Sequence, residues 1–255
     1  MKAKTNTNTK YGVFGVGHLG HAICAALHGA AGVPIADVYI GVRPEKANPQ
    51  NGVFGSMPEL AGAADVVFMT VRPAVFREMA QELAKADYSG KTVVSCMAGV
   101  SSAECCAALP GAELVLAMPT TSVEDGCGVI AYTKCSAGLA QVFAKFGIAV
   151  ETTEDELPKY TAFSGCGLGF AARMISAYIS AGVSLGLTEK DCRDIAEALF
   201  TAAAKGDPKA TVTAVVTPGG VTERGIIAME TEKSNIDGLA EMAVTAAYDK
   251  VRGRK

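Results

Sequence analysis

The sequence predicts an α/β protein in two parts. A doubly wound, mainly parallel sheet is expected over residues 1–150, then an all-helical domain over 151–255. Three observations predict this. Short apolar runs such as DVVFMTV alternate with helical stretches up to about residue 150, as strands covered on both faces do. After Glu151 the strand signal vanishes, and Ala, Met, Leu and Ile recur at helical spacing. A G-x-G-x-x-G pattern lies between the first apolar run and the first helix.

Bulk composition narrows the classes. With 49% hydrophobic residues among 255, the chain can fill a sizeable core. A net charge of -3 gives no basic footprint, so nucleic acid is not an expected partner. The eight cysteines include no C-x-x-C pair and read as small buried apolar residues of a reducing compartment. No thiol nucleophile is expected. The polar start, MKAKTNTNTK, lacks the apolar core of a signal peptide, and residues 1–10 are expected to be disordered. No uninterrupted run of about 20 apolar residues is present. No membrane is therefore expected as a partner, and the location expected is cytoplasmic.

In chain order, Tyr11–Val16 is the first strand and His18–Ala30 the first helix. Between them, Gly15 makes a tight turn, Gly17 admits a pyrophosphate to the backbone, and Gly20 lets helix and strand pack closely. His18 and Leu19 open the helix, whose free N–H groups and dipole favour phosphate there. This is a Rossmann-type dinucleotide motif; its plain alternative is a glycine turn. The histidines at 18, 21 and 28 lack the i, i+4 pairing of a helical metal site, and no metal is expected.

The second strand, Asp37–Val42, ends without the acidic residue that would accept from NAD ribose hydroxyls. Arg43 follows, with Lys46 behind it, and a guanidinium suits a 2′-phosphate. NADP(H) is expected over NAD(H); a solvated surface arginine is the alternative.

Three further strands should deliver their exits to the cofactor side, where open α/β sheets place ligands. Ala64–Val71 leaves through Val71, Arg72 and Pro73 into the helix Ala74–Ala86. Thr92–Met97 leaves through Ala98 and Gly99 into Ser101–Ala108, and Glu113–Met118 ends at Met118-Pro119-Thr120. Gly128–Tyr132 is the last strand, with a short linker near Gly147–Asp155.

In the helical half, LGFAARMISAYISAGVSLGL is apolar nearly all round and needs cover on every side, so a subunit interface is expected. The stretch TPGGVTERGIIAME, Thr217–Glu230, stops one helix and starts another. Gly219 and Gly220 should bare backbone N–H groups to a small anion, with Val221 following and Thr217 adding a hydroxyl. Thr222 is the expected N-cap, with Glu223 and Arg224 in the first turn. A merely capped turn is the alternative.

These motifs together resemble the pyrroline-5-carboxylate reductase family over almost the whole length. The family carries G-x-G-x-M-G, A-V-K-P, S-x-x-A-G, M-P-N, G-S-G-P-A-Y and S-P-G-G-x-T. Here they read GVGHLG, TVRP, SCMAG, MPT, GCGLGF and TPGGVT, in the same order. The resemblance implies NAD(P)H-dependent reduction of the C=N bond of a small cyclic imino acid. It also implies a C-terminal dimerisation domain in a homodimer or higher oligomer. Thr222 is implied as the partner of the imine or amine nitrogen. Departures cluster around the implied substrate pocket: Arg72, Thr120, Cys166 and Leu168 replace family residues, and Thr213-Ala214 stands where an Asp is usual. A β-hydroxyacid-type dehydrogenase is a rival, but Arg173 occupies the place of its proton-shuttling lysine. A non-catalytic NADP-binding sensor is the other.

Overall fold

The computed structural model describes residues 9–231 and 235–253. The expectation of a disordered start falls mainly on residues 1–8, outside the described ones. Contacts divide the chain into two units: residues up to Gly165 with Tyr248–Lys255, and Cys166–Ala247.

The first unit is built on one eight-stranded sheet. Its early elements are β1 (Tyr11–Phe14), α1 (His18–His28), β2 (Val38–Gly41), β3 (Val53–Phe54), α2 (Met57–Ala63), β4 (Val66–Met69) and α3 (Pro73–Leu83). Then come β5 (Thr92–Ser95), α4 (Ser102–Ala108), β6 (Glu113–Pro119), β7 (Gly128–Thr133), α5 (Ala137–Lys145), β8 (Gly147–Thr152) and α6 (Leu157–Tyr160). The order β3-β2-β1-β4-β5-β6-β7-β8 reverses at β1, between β2 and β4. All pairings are parallel except β6 with β7.

Both faces of the sheet are covered, which explains the continuous apolar strands. On one face Ile23 and Leu27 of α1 join Phe143 and Phe146, with the Phe68 and Phe143 rings edge to face at 6.3 Å. On the other, Leu60 of α2, Phe76 of α3 and Cys105 of α4 pack on Val67 and Val93. The six expected strands are present, each within a few residues of its expected bounds. Strands β3 and β8 were not expected. β3 has only two residues, and β8 is a half-exposed edge strand. β8 occupies most of the stretch read as a linker, so the boundary placed near 150 falls inside a strand.

The second unit is helical: α7 (Gly167–Ser184), α8 (Glu189–Lys205), α9 (Pro208–Val215), α10 (Val221–Met229) and α11 (Ile236–Val251), whose last turn belongs to the first unit. α7 packs on α8, with Tyr178 and Phe200 edge to face at 5.7 Å and Cys192 against Gly182. No residue of α7 is buried. With α6 and an intervening π turn it runs from Leu157 to Ser184, long and apolar enough by composition to cross a membrane. Arg173 in its middle argues instead for a protein surface covering it. Leu185, Val221, Leu239 and Met242 of this unit are exposed as well, Val221 by 92%.

Candidate functional site

The glycine loop has the geometry a dinucleotide needs. Gly15 has φ +105°, a left-handed value open to glycine, and a Cβ there would press on the backbone of Thr70 and Val71. At Gly20 an added Cβ would lie 2.2 Å from the Gly15 carbonyl oxygen, so α1 approaches the turn as closely as backbone allows. A Cβ at Gly17 would meet nothing within 4 Å. The space over Gly17 is open, at the N-cap of α1, where a phosphate would approach. His18 beside it is exposed and Leu19 half-buried. Thr70 was not singled out from sequence. Its hydroxyl donates to the Gly15 and Phe14 carbonyls and braces the turn. A lone threonine at a strand exit carries no distinguishing signal.

Beside this loop is a 510 Å³ cavity lined by Gly15, Arg43, Lys46, Ser56 and Val71, among others. The sheet reversal brings Gly15, Arg43 and Val71 together, three residues chosen from sequence for cofactor contact. Lys46 adds a second cation and Ser56, the N-cap of α2, a hydroxyl. Ser56 sits between a two-residue strand and a short helix, which the hydrophobic pattern does not show.

A second cavity of 350 Å³ gathers Gly99 and Met118 with Glu104, Thr161 and Arg252. Arg77 shapes its rim, donating to the Gly99 carbonyl at 2.9 Å and pairing with Glu104 at 3.0 Å. Glu104 closes a capping box with Ser101, and the Ser101 N–H and Arg77 hold its carboxyl below the usual range. Ala98 is exposed beside Gly99. Arg72, the N-cap of α3, is exposed, and Pro73 opens that helix. Pro119 and Thr120 are buried. The Thr120 hydroxyl accepts from the Val129 N–H at 3.0 Å and bonds Ser122 at 2.8 Å, so it ties β6 to β7.

Cys96, Cys105 and Cys192 are buried, whereas Cys106 and Cys127 are exposed, against the expectation of buried thiols throughout. Burial pushes Cys24 and Cys105 up to about 11, and all eight cysteines are free. Among the described residues no group of three acidic, histidine or cysteine side chains is placed to hold a metal.

At Thr217–Thr222, within the second unit, the chain differs in detail from expectation. Pro218 and Gly219, the latter with φ +73°, form the centre of a turn closed by the Gly220 N–H donating to the Thr217 carbonyl at 2.8 Å. The Gly219 N–H donates to Glu223 Oε2 at 2.6 Å. Both glycine donors are therefore spoken for, which corrects their reading as bare N–H groups. Gly220, not Thr222, is the N-cap; Thr222 is the second residue of α10, with its side chain exposed. The open donors are the next three. The N–H groups of Val221, Thr222 and Glu223 have no partner among the described residues. A glycine N-cap offers no side-chain oxygen to fill them. Proline and two glycines signalled the turn, but the reach of Glu223 back to Gly219 depends on its rotamer.

Residues 154–253 match the family described as pyrroline-5-carboxylate reductase dimerisation. Residues 10–99 match NADP oxidoreductase coenzyme F420-dependent. The pyrroline-5-carboxylate reductase of Corynebacterium melassecola is 29% identical over 265 residues, covering 95% of this chain and 97% of that protein. The chain is thus similar to a pyrroline-5-carboxylate reductase over nearly its whole length. Pyrroline-5-carboxylate reductase 2 of Pongo abelii is 28% identical over 83% of the chain and 73% of that protein. Among solved structures, Plasmodium falciparum pyrroline carboxylate reductase with NADP bound superposes at TM-score 0.86, with 24% identity over 97% of this chain and 98% of that one. A reductive aminase from Aspergillus terreus in complex with NADPH shares the fold at TM-score 0.55, with 17% identity over 97% and 95%. The dimerisation match falls on the helical unit whose apolar side chains stand exposed.

Proposed function

We propose that the chain is an NADPH-dependent reductase of the C=N bond of a small cyclic imino acid, of the pyrroline-5-carboxylate type, acting as a cytoplasmic homodimer or larger assembly. The carrying observation is the start of α10. Three adjacent backbone N–H groups stand without partners among the described residues, in the stretch that resembles the family signature. They suit a carboxylate, since unpaired donors and the helix dipole both favour negative charge.

The roles divide between the units. In the first, the turn Gly15–Gly20 gives backbone donors to a pyrophosphate, and Arg43 with Lys46 favours a 2′-phosphate. The exits at Val71–Pro73, Ala98–Gly99 and Met118 line the remainder of the cofactor's course. In the second, Val221, Thr222 and Glu223 hold the acid group, Thr217 adds a hydroxyl, and the Thr222 hydroxyl bonds the ring nitrogen. NADPH, when bound, supplies the hydride, so no strong nucleophile is required of the chain. The raised thiols fit that economy of side-chain chemistry.

The test is NADPH oxidation with a panel of 1-pyrroline-5-carboxylate, 1-pyrroline-2-carboxylate and piperideine carboxylates. Turnover of at least one is expected. Tight NADPH binding with no turnover of any cyclic imine would replace this reading with that of a sensor.

A further inference from the structure

The turn after β2 carries an anion as well as two cations. It is rigid. The Val42 N–H donates to the Phe54 carbonyl at 2.9 Å, the Lys46 N–H to the Arg43 carbonyl at 2.9 Å, and the Ala47 N–H to the Pro44 carbonyl at 3.1 Å. Pro44 fixes its own φ, and Gly55 lies so close beneath that an added Cβ would sit 3.1 Å from Pro44 Cα. Arg43, Glu45 and Lys46 therefore leave one stiff frame. Arg43 and Lys46 line the 510 Å³ cavity, whereas Glu45 does not. Instead Glu45 Oε1 lies 3.3 Å from Arg43 Nε, with the two side chains 60% and 75% exposed.

We infer that Glu45 narrows the discrimination between NADPH and NADH, by occupying the Nε edge of Arg43 and by repelling a 2′-phosphate. This rests on the reading of the cavity as the adenosine end of the cofactor site. A guanidinium grips phosphate best through two parallel N–H bonds. With Glu45 on Nε, only the terminal Nη pair remains open for such a grip. A 2′-phosphate, with roughly two negative charges, must displace the carboxylate or accept it as a neighbour. A 2′-hydroxyl meets neither penalty. Glu45 therefore weakens NADPH binding and leaves NADH nearly untouched, narrowing the preference that Arg43 and Lys46 create. Because the pair is exposed, the effect is small, about two- to fivefold in the affinity ratio.

Fluorescence titration of NADPH and NADH against four proteins decides it: wild type, Glu45→Gln, Arg43→Ala and the double variant. Both substituted side chains lie on the surface, and melting curves confirm folding. Glu45→Gln should raise the ratio of NADPH to NADH affinity about two- to fivefold at low salt. The gain should shrink at high salt, where exposed charges are screened, and should be smaller in the Arg43→Ala background. An unchanged or lowered ratio in Glu45→Gln overturns the inference, as does an equal gain in both backgrounds. If Arg43→Ala leaves the ratio unchanged, the adenosine-end reading itself falls, a result distinct from failure at Glu45 alone.

Discussion

Alanine at Gly17 and at Gly20 should do opposite things. At Gly17 the backbone is extended, with φ -87° and ψ -167°, which alanine adopts freely, and its Cβ meets nothing within 4 Å. The poorer N-cap costs about 0.5 kcal/mol. Reduced freedom of the unfolded chain returns about 0.4–1 kcal/mol. The urea midpoint should therefore barely move. The methyl group, however, stands where a pyrophosphate must approach, so NADPH affinity should fall at least tenfold, about 1.4 kcal/mol. At Gly20 the Cβ would lie 2.2 Å from the Gly15 oxygen and 3.1 Å from Thr70 Oγ1. Backbone, not a flexible side-chain tip, is in the way, so α1 must retreat from the sheet. Overpacking of this kind costs about 1–3 kcal/mol, against about 1 kcal/mol gained in helix propensity. A net loss of up to about 2 kcal/mol should appear as a lower urea midpoint followed by circular dichroism. Equal destabilisation by both variants, or wild-type NADPH affinity in Gly17→Ala, would refute the division of roles.

Thr222→Val should unfold within about 0.5 kcal/mol of wild type, because Gly220 is the cap and the Thr222 side chain is exposed; its kcat/KM on the true imine should drop more than tenfold. Glu223→Gln loses a charged acceptor of the Gly219 N–H in the first turn of α10, so the melting temperature should fall by an amount equivalent to about 0.3–1 kcal/mol. Glu104 is held below its ordinary value, chiefly by the Ser101 N–H, so its contribution is full above the ordinary carboxylate value of about 4.5 and fades as pH falls through the lowered folded value. Urea midpoints should show Glu104→Gln less stable at pH 7 and converging with wild type in acid. Light scattering should give a mass at least twice the 26.1 kDa chain, and Leu239→Glu with Met242→Glu should lower it, since both side chains are exposed in the dimerisation unit.

The parts of the fold legible in sequence are those whose residues answer to one dominant force. The central strands are apolar on both faces and so stand out as runs; β8 has no buried residue and did not. Gly15 and Gly20 are dictated by contacts of the bare backbone, which a motif records faithfully. Thr120 illustrates the limit: as a strand-exit residue it looked like a ligand contact, and its hydroxyl is spent on Val129. The donors at α10 show the same limit at finer scale. Proline and glycine announced a turn, yet which N–H groups stay open was decided by a turn hydrogen bond and one carboxylate.

The most direct measurement is a crystal structure with NADPH and a saturated cyclic amino acid such as proline. Its carboxylate should rest on the amide hydrogens of Val221, Thr222 and Glu223, with the ring nitrogen near the Thr222 hydroxyl. A carboxylate bound away from the first turn of α10 would contradict the account.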